Sequence, residues 1–235
     1  MKTYICFVPC VLALFIGAGC ASTTITGREK LVTEKLPRPN HIWVYDFAAT
    51  PADVPADSAL AGQVAQDATP QTPEQIATGR ELGVGMAAQL VQKIREMGLP
   101  AVQPTAETTP QIDDIVIRGY LISIEEGSAA KRVTIGFGSG ASKLQTVIEG
   151  FQMTAQGLRK IGSGRVESGG NKTPGAAAGA AAFIATANPV GLIISGGTKL
   201  YGEATGSSKI EGRAKQTAEE IAKELKKRFE QEGWI

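Results

Sequence analysis

The chain has 235 residues, a formal net charge of +1, 43% hydrophobic residues and only 6% aromatic residues. That length suits one domain with a real core and is too short for two large ones. Near-neutral charge argues against a nucleic-acid binder, which needs a basic face to neutralise phosphates.

The opening residues, MKTYICFVPCVLALFIGAGCAS, read as a targeting segment over residues 1–19. Lys2 supplies a positive start, and Ile5 to Ile16 form an apolar run too short for a permanent membrane helix. Gly17, Ala18 and Gly19 then precede Cys20. Small residues directly before a cysteine resemble the bacterial lipoprotein signal, which implies cleavage before Cys20 and a diacylglycerol on its thiol. Gly17 departs from the branched apolar residue that the pattern prefers three places before the cysteine, and an ordinary secretory signal is the alternative. Cys6 and Cys10 leave with the signal, so the mature chain holds Cys20 alone and cannot form an internal disulfide. Several acyl chains on one residue anchor stably, where one would not. Ala21 rather than Asp follows the cysteine, so the expected location is the outer membrane, with the domain facing the periplasm.

Residues 20–40 are polar and end in LPRPN, a proline-flanked stretch that resists helix. They read as a lipidated flexible tether which, fully extended, reaches on the order of 65 Å. The remaining 41–235 read as one periplasmic domain. HIWVYDF (His41 to Phe47) alternates as a strand, with Ile42 and Val44 on one face and Trp43, Tyr45 and Phe47 on the other. A proline-rich loop follows. Thr72, Pro73 and Glu74 form a helix start, Ile76 to Ile94 give a face at helical spacing, and Gly98 stops the helix. IDDIVIRGYLISIEEG reads as a long strand. Lys131 to Phe137, Leu144 to Met153 and Leu158 to Val166 read as three more. A last amphipathic helix runs from about Ile210 to Gln231. Strand, helix, several strands and helix make an α+β fold, a mainly antiparallel sheet packed by helices.

Gly136 to Ala141, GFGSGA, matches the glycine pattern of a dinucleotide-binding turn. Such a turn must open a helix, yet Thr146, Val147, Ile148 and Gly150 follow, which is strand chemistry. The glycines therefore read as a connection between antiparallel strands, and no nucleotide or other cofactor is expected. Gly136, Gly138 and Gly140 are the candidates for a close backbone contact with a partner. His41 is the one histidine, and no metal-ligand cluster surrounds it. Asp113 and Asp114 read as a solvated strand end. No nucleophile motif has a histidine to serve it, so no enzymatic activity is expected.

Gly175 to Gly197 carries no charge and includes a G-x-x-x-G spacing. It reads as a small-residue segment packed on the domain, broken at Asn188-Pro189. The alternative is a self-assembling membrane or secretion-channel element, since about 23 residues suffice to span a bilayer.

Three stretches, PNHIWVYDFAATPADVP, KRVTIGFGSGASKLQTVIEG and NPVGLIISGGTKLYGEATGSSKIEGRAKQTAEEIAKELKKRFEQEGWI, are similar to a family of bacterial lipoproteins catalogued as domain of unknown function 4410. The resemblance covers essentially everything from Asn40 onwards. It implies a secreted, lipid-anchored α+β domain without assigned chemistry, most consistent with a non-catalytic binding or scaffolding component of the cell envelope. The membrane, through the lipid anchor, and an envelope protein are the expected partners, and an oligomer is compatible with the reading.

Overall fold

A computed structural model describes residues 23–58, 60–61, 71–105, 107–125, 143–168, 193–194 and 210–235. Two helices lie on one face of a sheet, which is the α+β architecture expected. Helix α1 spans Pro73–Glu96. Its start is a reciprocal cap: the Thr72 hydroxyl accepts from the Gln75 N–H at 3.3 Å, and the Gln75 side chain accepts from the Thr72 N–H at 2.9 Å. Beyond its end Gly98 adopts a φ of 81°, a left-handed geometry that glycine takes without steric cost. Helix α2 spans Ile210–Glu232 and buries Ala214, Ala218, Ile221 and Phe229.

The strands are β1 (Thr23–Lys30), β2 (Ile42–Val44), β3 (Ala101–Val102), β4 (Ile115–Glu125), β5 (Lys143–Thr154), β6 (Gly157–Ser168) and β7 (Ile193–Ile194). Their order across the sheet is β1-β6-β5-β4-β2-β3, with β7 also pairing β4. The β4–β5 and β5–β6 pairs are antiparallel, as expected, and the β1–β6 pair, which the sequence did not suggest, is antiparallel as well. The three longest pairings are thus antiparallel, but the short β2–β3, β2–β4 and β4–β7 pairs are parallel, so the sheet is mixed rather than purely antiparallel. The physical reason is α1: a helical connection returns the chain to the end of the sheet where β2 began, so the next strands run alongside it.

Residues 23–40 correct the flexible-tether reading. Thr23–Lys30 forms the edge strand β1, with Ile25 opposite Val166 of β6. Val32 and Leu36 are buried in the main core. The Leu36 N–H donates to Glu232 at 2.8 Å, and the Trp234 indole donates to the Leu36 carbonyl at 3.2 Å. Phe229 stacks on Trp234 with ring centroids 5.3 Å apart. This stretch is thus clamped at both ends, by the sheet and by the end of α2.

Ile42, Val44, Ile115, Ile117 and Leu121 face the helices, while Trp43, Val116 and Phe151 form a cluster on the opposite face. Phe47 departs from its expected place beside Trp43 because β2 ends at Val44. Its ring turns to the helical side and covers Gly119, where any Cβ would collide with it. Its backbone runs against α1, with the Phe47 N–H donating to the Gly83 carbonyl at 3.3 Å. Gly83 and Gly119 are therefore required by close approach.

Candidate functional site

Between α2 and the half of the sheet formed by β1, β6 and β5 lies an open cleft of about 380 Å³. Ile25, Ile117, Ile148, Ile161 and Val166 make an apolar floor, and Ile221 and Leu225 of α2 make the opposite wall. The volume falls within the roughly 300–1,000 Å³ of small-molecule sites.

The cleft exists because three positions on its floor lack side chains: Gly150, Gly162 and Gly164. They are not equivalent. A Cβ on Gly150 would touch Ile161, whose side chain already fills that place at 3.5 Å. A Cβ on Gly162 would stand 2.7 Å from the Glu29 carbonyl oxygen, so Gly162 lets β1 approach. A Cβ on Gly164 would meet nothing within 4 Å. The floor is shaped further by an irregularity in the β5–β6 register between Gly150 and Phe151, which leaves Ile161 as an extra residue.

The mouth is polar and cationic. Arg28, Lys30, Lys227 and Arg228 line it, against the carboxylates Glu29 and Glu224. Glu224 is shared by Lys227 at 2.7 Å and Arg28 at 3.1 Å. Burial alone would raise its carboxyl, but the bond from Lys227 and the Arg28 charge outweigh this and hold it below its ordinary value. Arg228 lies 2.7 Å from Glu232, and Glu29 accepts from the Ser163 hydroxyl at 3.0 Å. Among the described residues Lys30 has no ion pair.

Two buried carboxylates elsewhere are structural. Asp114 is fully buried and accepts from the His41 N–H (2.9 Å), the Gln111 N–H (2.9 Å) and the Trp43 indole (2.8 Å). This corrects the reading of Asp114 as a solvated strand end. His41, half-exposed, has its Nδ1 3.9 Å from the same carboxylate. Glu149, on the face away from the helices, accepts from Ser58, Tyr120 and Lys160, each at 2.8 Å. Burial pushes the Tyr120 phenol up, and the Glu149 charge adds to this, so the phenol keeps its proton and donates. Every acceptor here is matched by a donor, which is how a buried charge is tolerated. Among the described residues, no three His, Cys, Asp or Glu side chains are grouped to hold a metal ion.

Cys20 and the glycines Gly136, Gly138 and Gly140 lie outside the described residues, as does the expected strand Lys131 to Phe137. The segment after those glycines is strand β5, not a helix, as its residues predict. Of the uncharged segment 175–197, only Ile193–Ile194 is described, as β7 alongside β4. No described helix is long and apolar enough to cross a membrane. The cleft itself was not anticipated from sequence. Its signal is Gly150 together with Gly162 and Gly164, small residues at same-face positions of two adjacent strands.

A mixed sheet carrying two helices on one face, with a glycine-floored cleft beneath the second, defines an α+β domain with an open cleft. The chain belongs to the family described as domain of unknown function (DUF4410), whose model matches residues 42–187. No curated protein matches the chain. Among solved structures it is similar to a dodecamer of a singly substituted PelC from Paraburkholderia phytofirmans, at 13% identity over 72% of this chain and 98% of that chain, with a TM-score of 0.37. The PelC dodecamer from the same organism, in another crystal form, matches at 12% identity, the same coverages and the same TM-score. This likeness is too distant to bear on assembly or ligand.

Proposed function

We propose that this chain is a non-catalytic binding module of the bacterial envelope, anchored to the outer membrane through an acylated Cys20, with the cleft under α2 as its binding site. The observation that carries the reading is the shortness of the link between anchor and cleft. Strand β1 begins at Thr23, three residues after Cys20, and Ile25 of the same strand lines the cleft. Five residues span at most about 18 Å, so the end of the cleft at Ile25 stands within that reach of the lipid surface instead of being carried far into the periplasm. The sequence around Cys20 supports the anchor, and the bonds that tie Asp114 and Glu149 to neighbouring strands and loops support a structural role for both carboxylates. An apolar floor beneath a polar, charged mouth supports the reading of a binding site.

The test is the mass of the N-terminal peptide of protein taken from membranes, beside fractionation of a Cys20→Ser variant. Acylation of Cys20, with the variant lost from the membrane fraction, supports the reading. An unmodified N-terminus on a freely released chain refutes it. Light scattering of the full-length protein in mild detergent addresses the self-assembling alternative: a monomer or small dimer fits a binding module, and a large ring fits a channel element.

A further inference from the structure

We propose that the cleft under α2 takes a single-chain anionic amphiphile of the membrane, its acyl chain laid along the glycine-lined floor and its head group held at the mouth by Lys30 and Lys227. This rests on the reading of the cleft as a binding site near the lipid surface. Three observations select the ligand class.

The floor is apolar. Isoleucines and a valine line it, and Gly164 leaves open space at its middle. Strands β5 and β6 are interior strands, each paired on both sides, so their backbone N–H and C=O groups are used within the sheet. A bound peptide would bring its own backbone polar groups into a cleft whose floor offers them no partners, at a cost in desolvation. A methylene chain has no such groups.

The mouth supplies the charge selection. Four cations face two carboxylates among the lining residues. Glu224 is already divided between Arg28 and Lys227. Lys30, exposed on β1, has no ion pair among the described residues, and a head-group oxygen would complete its coordination. Arg28 and Lys30 stand on β1, while Lys227 stands across the cleft on α2, so an anion at the mouth is approached from both walls. With four cations against two carboxylates, the mouth favours an anionic head group over a cationic or neutral one.

The test uses full-length protein in its own membranes with a photoactivatable hexadecanoic acid, and the methyl ester of the same probe as the neutral control. Adducts are mapped by mass spectrometry. The acid is expected to label peptides carrying Ile221 and Leu225 or Ile161. The ester should label these about tenfold less, the loss of one charge-assisted head-group contact. Gly164→Leu, which fills the open space, should reduce labelling by the acid at least as much, and Lys30→Glu should reduce it without altering the fold. Gly164→Ala, adding one methyl, is the milder companion should the leucine disturb the sheet, and circular dichroism reads the fold of each. Equal labelling by acid and ester overturns the anionic head group. Adducts elsewhere, or labelling indifferent to both Gly164 variants, overturn the amphiphile site altogether. If Cys20 is acylated and the cleft stays unlabelled, this inference fails while the anchored binding module stands. An unacylated, released chain removes the anchored reading, and labelling in solution then judges the cleft by itself.

Discussion

Gly164→Val is expected to make the protein more stable while closing its cleft. Gly164 is interior to β6, opposite Ile148, and does not use positive φ. Its Cβ would meet nothing within 4 Å. Replacing a strand glycine by alanine removes a backbone entropy cost of roughly 0.5–1 kcal/mol. The two further methyls of valine are worth up to about 0.8 kcal/mol each when buried; half of that is realistic in an open cleft. The expected gain is about 1.5 kcal/mol, which for a domain of this size raises Tm by roughly 3–6 °C. Gly162, two residues earlier on the same face, should respond with the opposite sign. Its Cβ would stand 2.7 Å from the Glu29 carbonyl, so Gly162→Ala must push β1 away, at about 1–3 kcal/mol. The assay is thermal unfolding by circular dichroism of protein starting at Ala21, which retains every described element, in buffer free of amphiphile. A stabilised Gly164→Val beside a destabilised Gly162→Ala is the predicted result. A Gly164→Val protein less stable than the parent by about 1 kcal/mol or more would show that this position is filled and that no open space lies above it.

Three further outcomes follow from the packing. Gly119→Ala should cost about 2–4 kcal/mol, because the Phe47 ring occupies the space of the new methyl; an unchanged denaturation midpoint would mean the ring can swing aside freely. Asp114→Ala leaves the Trp43 indole and the N–H groups of His41 and Gln111 without their acceptor, so a loss of about 3–5 kcal/mol is expected in urea unfolding; a loss below about 1 kcal/mol would contradict the bonded geometry. Glu224→Gln should be less stable than the parent at neutral pH, with the difference vanishing in acid. The Glu224 carboxyl is held below its ordinary value by Lys227 and Arg28, so its contribution is complete above about pH 4.3, the ordinary glutamate pKa, and is lost as pH falls through the lower folded value; a difference that grows on acidification would refute the sign.

The elements with clear periodicity were legible in the sequence. The helical face from Ile76 to Ile94, bounded by Thr72 and Gly98, became α1, and the stripe from Ile210 to Phe229 became α2. The strands from Ile115, Leu144 and Leu158 became β4, β5 and β6. The stretch TTITGREK was illegible as strand because β1 is an edge: Ile25 alone marks its inward face, and its outer positions are polar and exposed. The parallel pairings were hidden by length, since β2 has three residues and β3 two, too few to show a period. Asp114 looked solvated because nothing local reveals that Trp43 and His41, some seventy residues earlier, converge on it. The cleft was hidden for a related reason. Glycines in a strand weaken its sequence signal, and only the β5–β6 register shows that Gly150 and Gly162 stand opposite one another beneath α2.

If Cys20 carries the proposed anchor, the short link to β1 holds the cleft close to the lipid surface. The most direct measurement is fluorescence quenching by lipids carrying a nitroxide in the head group, with one label per protein in full-length chains reconstituted in vesicles. One label replaces Lys227 at the cleft mouth, and the other replaces Gln103, just beyond β3 at the far edge of the sheet. Five strand spacings separate the two edges by about 24 Å. Strong quenching at position 227 with little at 103 is the predicted result. Equal and weak quenching at both, in protein whose Cys20 is acylated, would refute a membrane-proximal cleft, because the domain would then hang clear of the membrane.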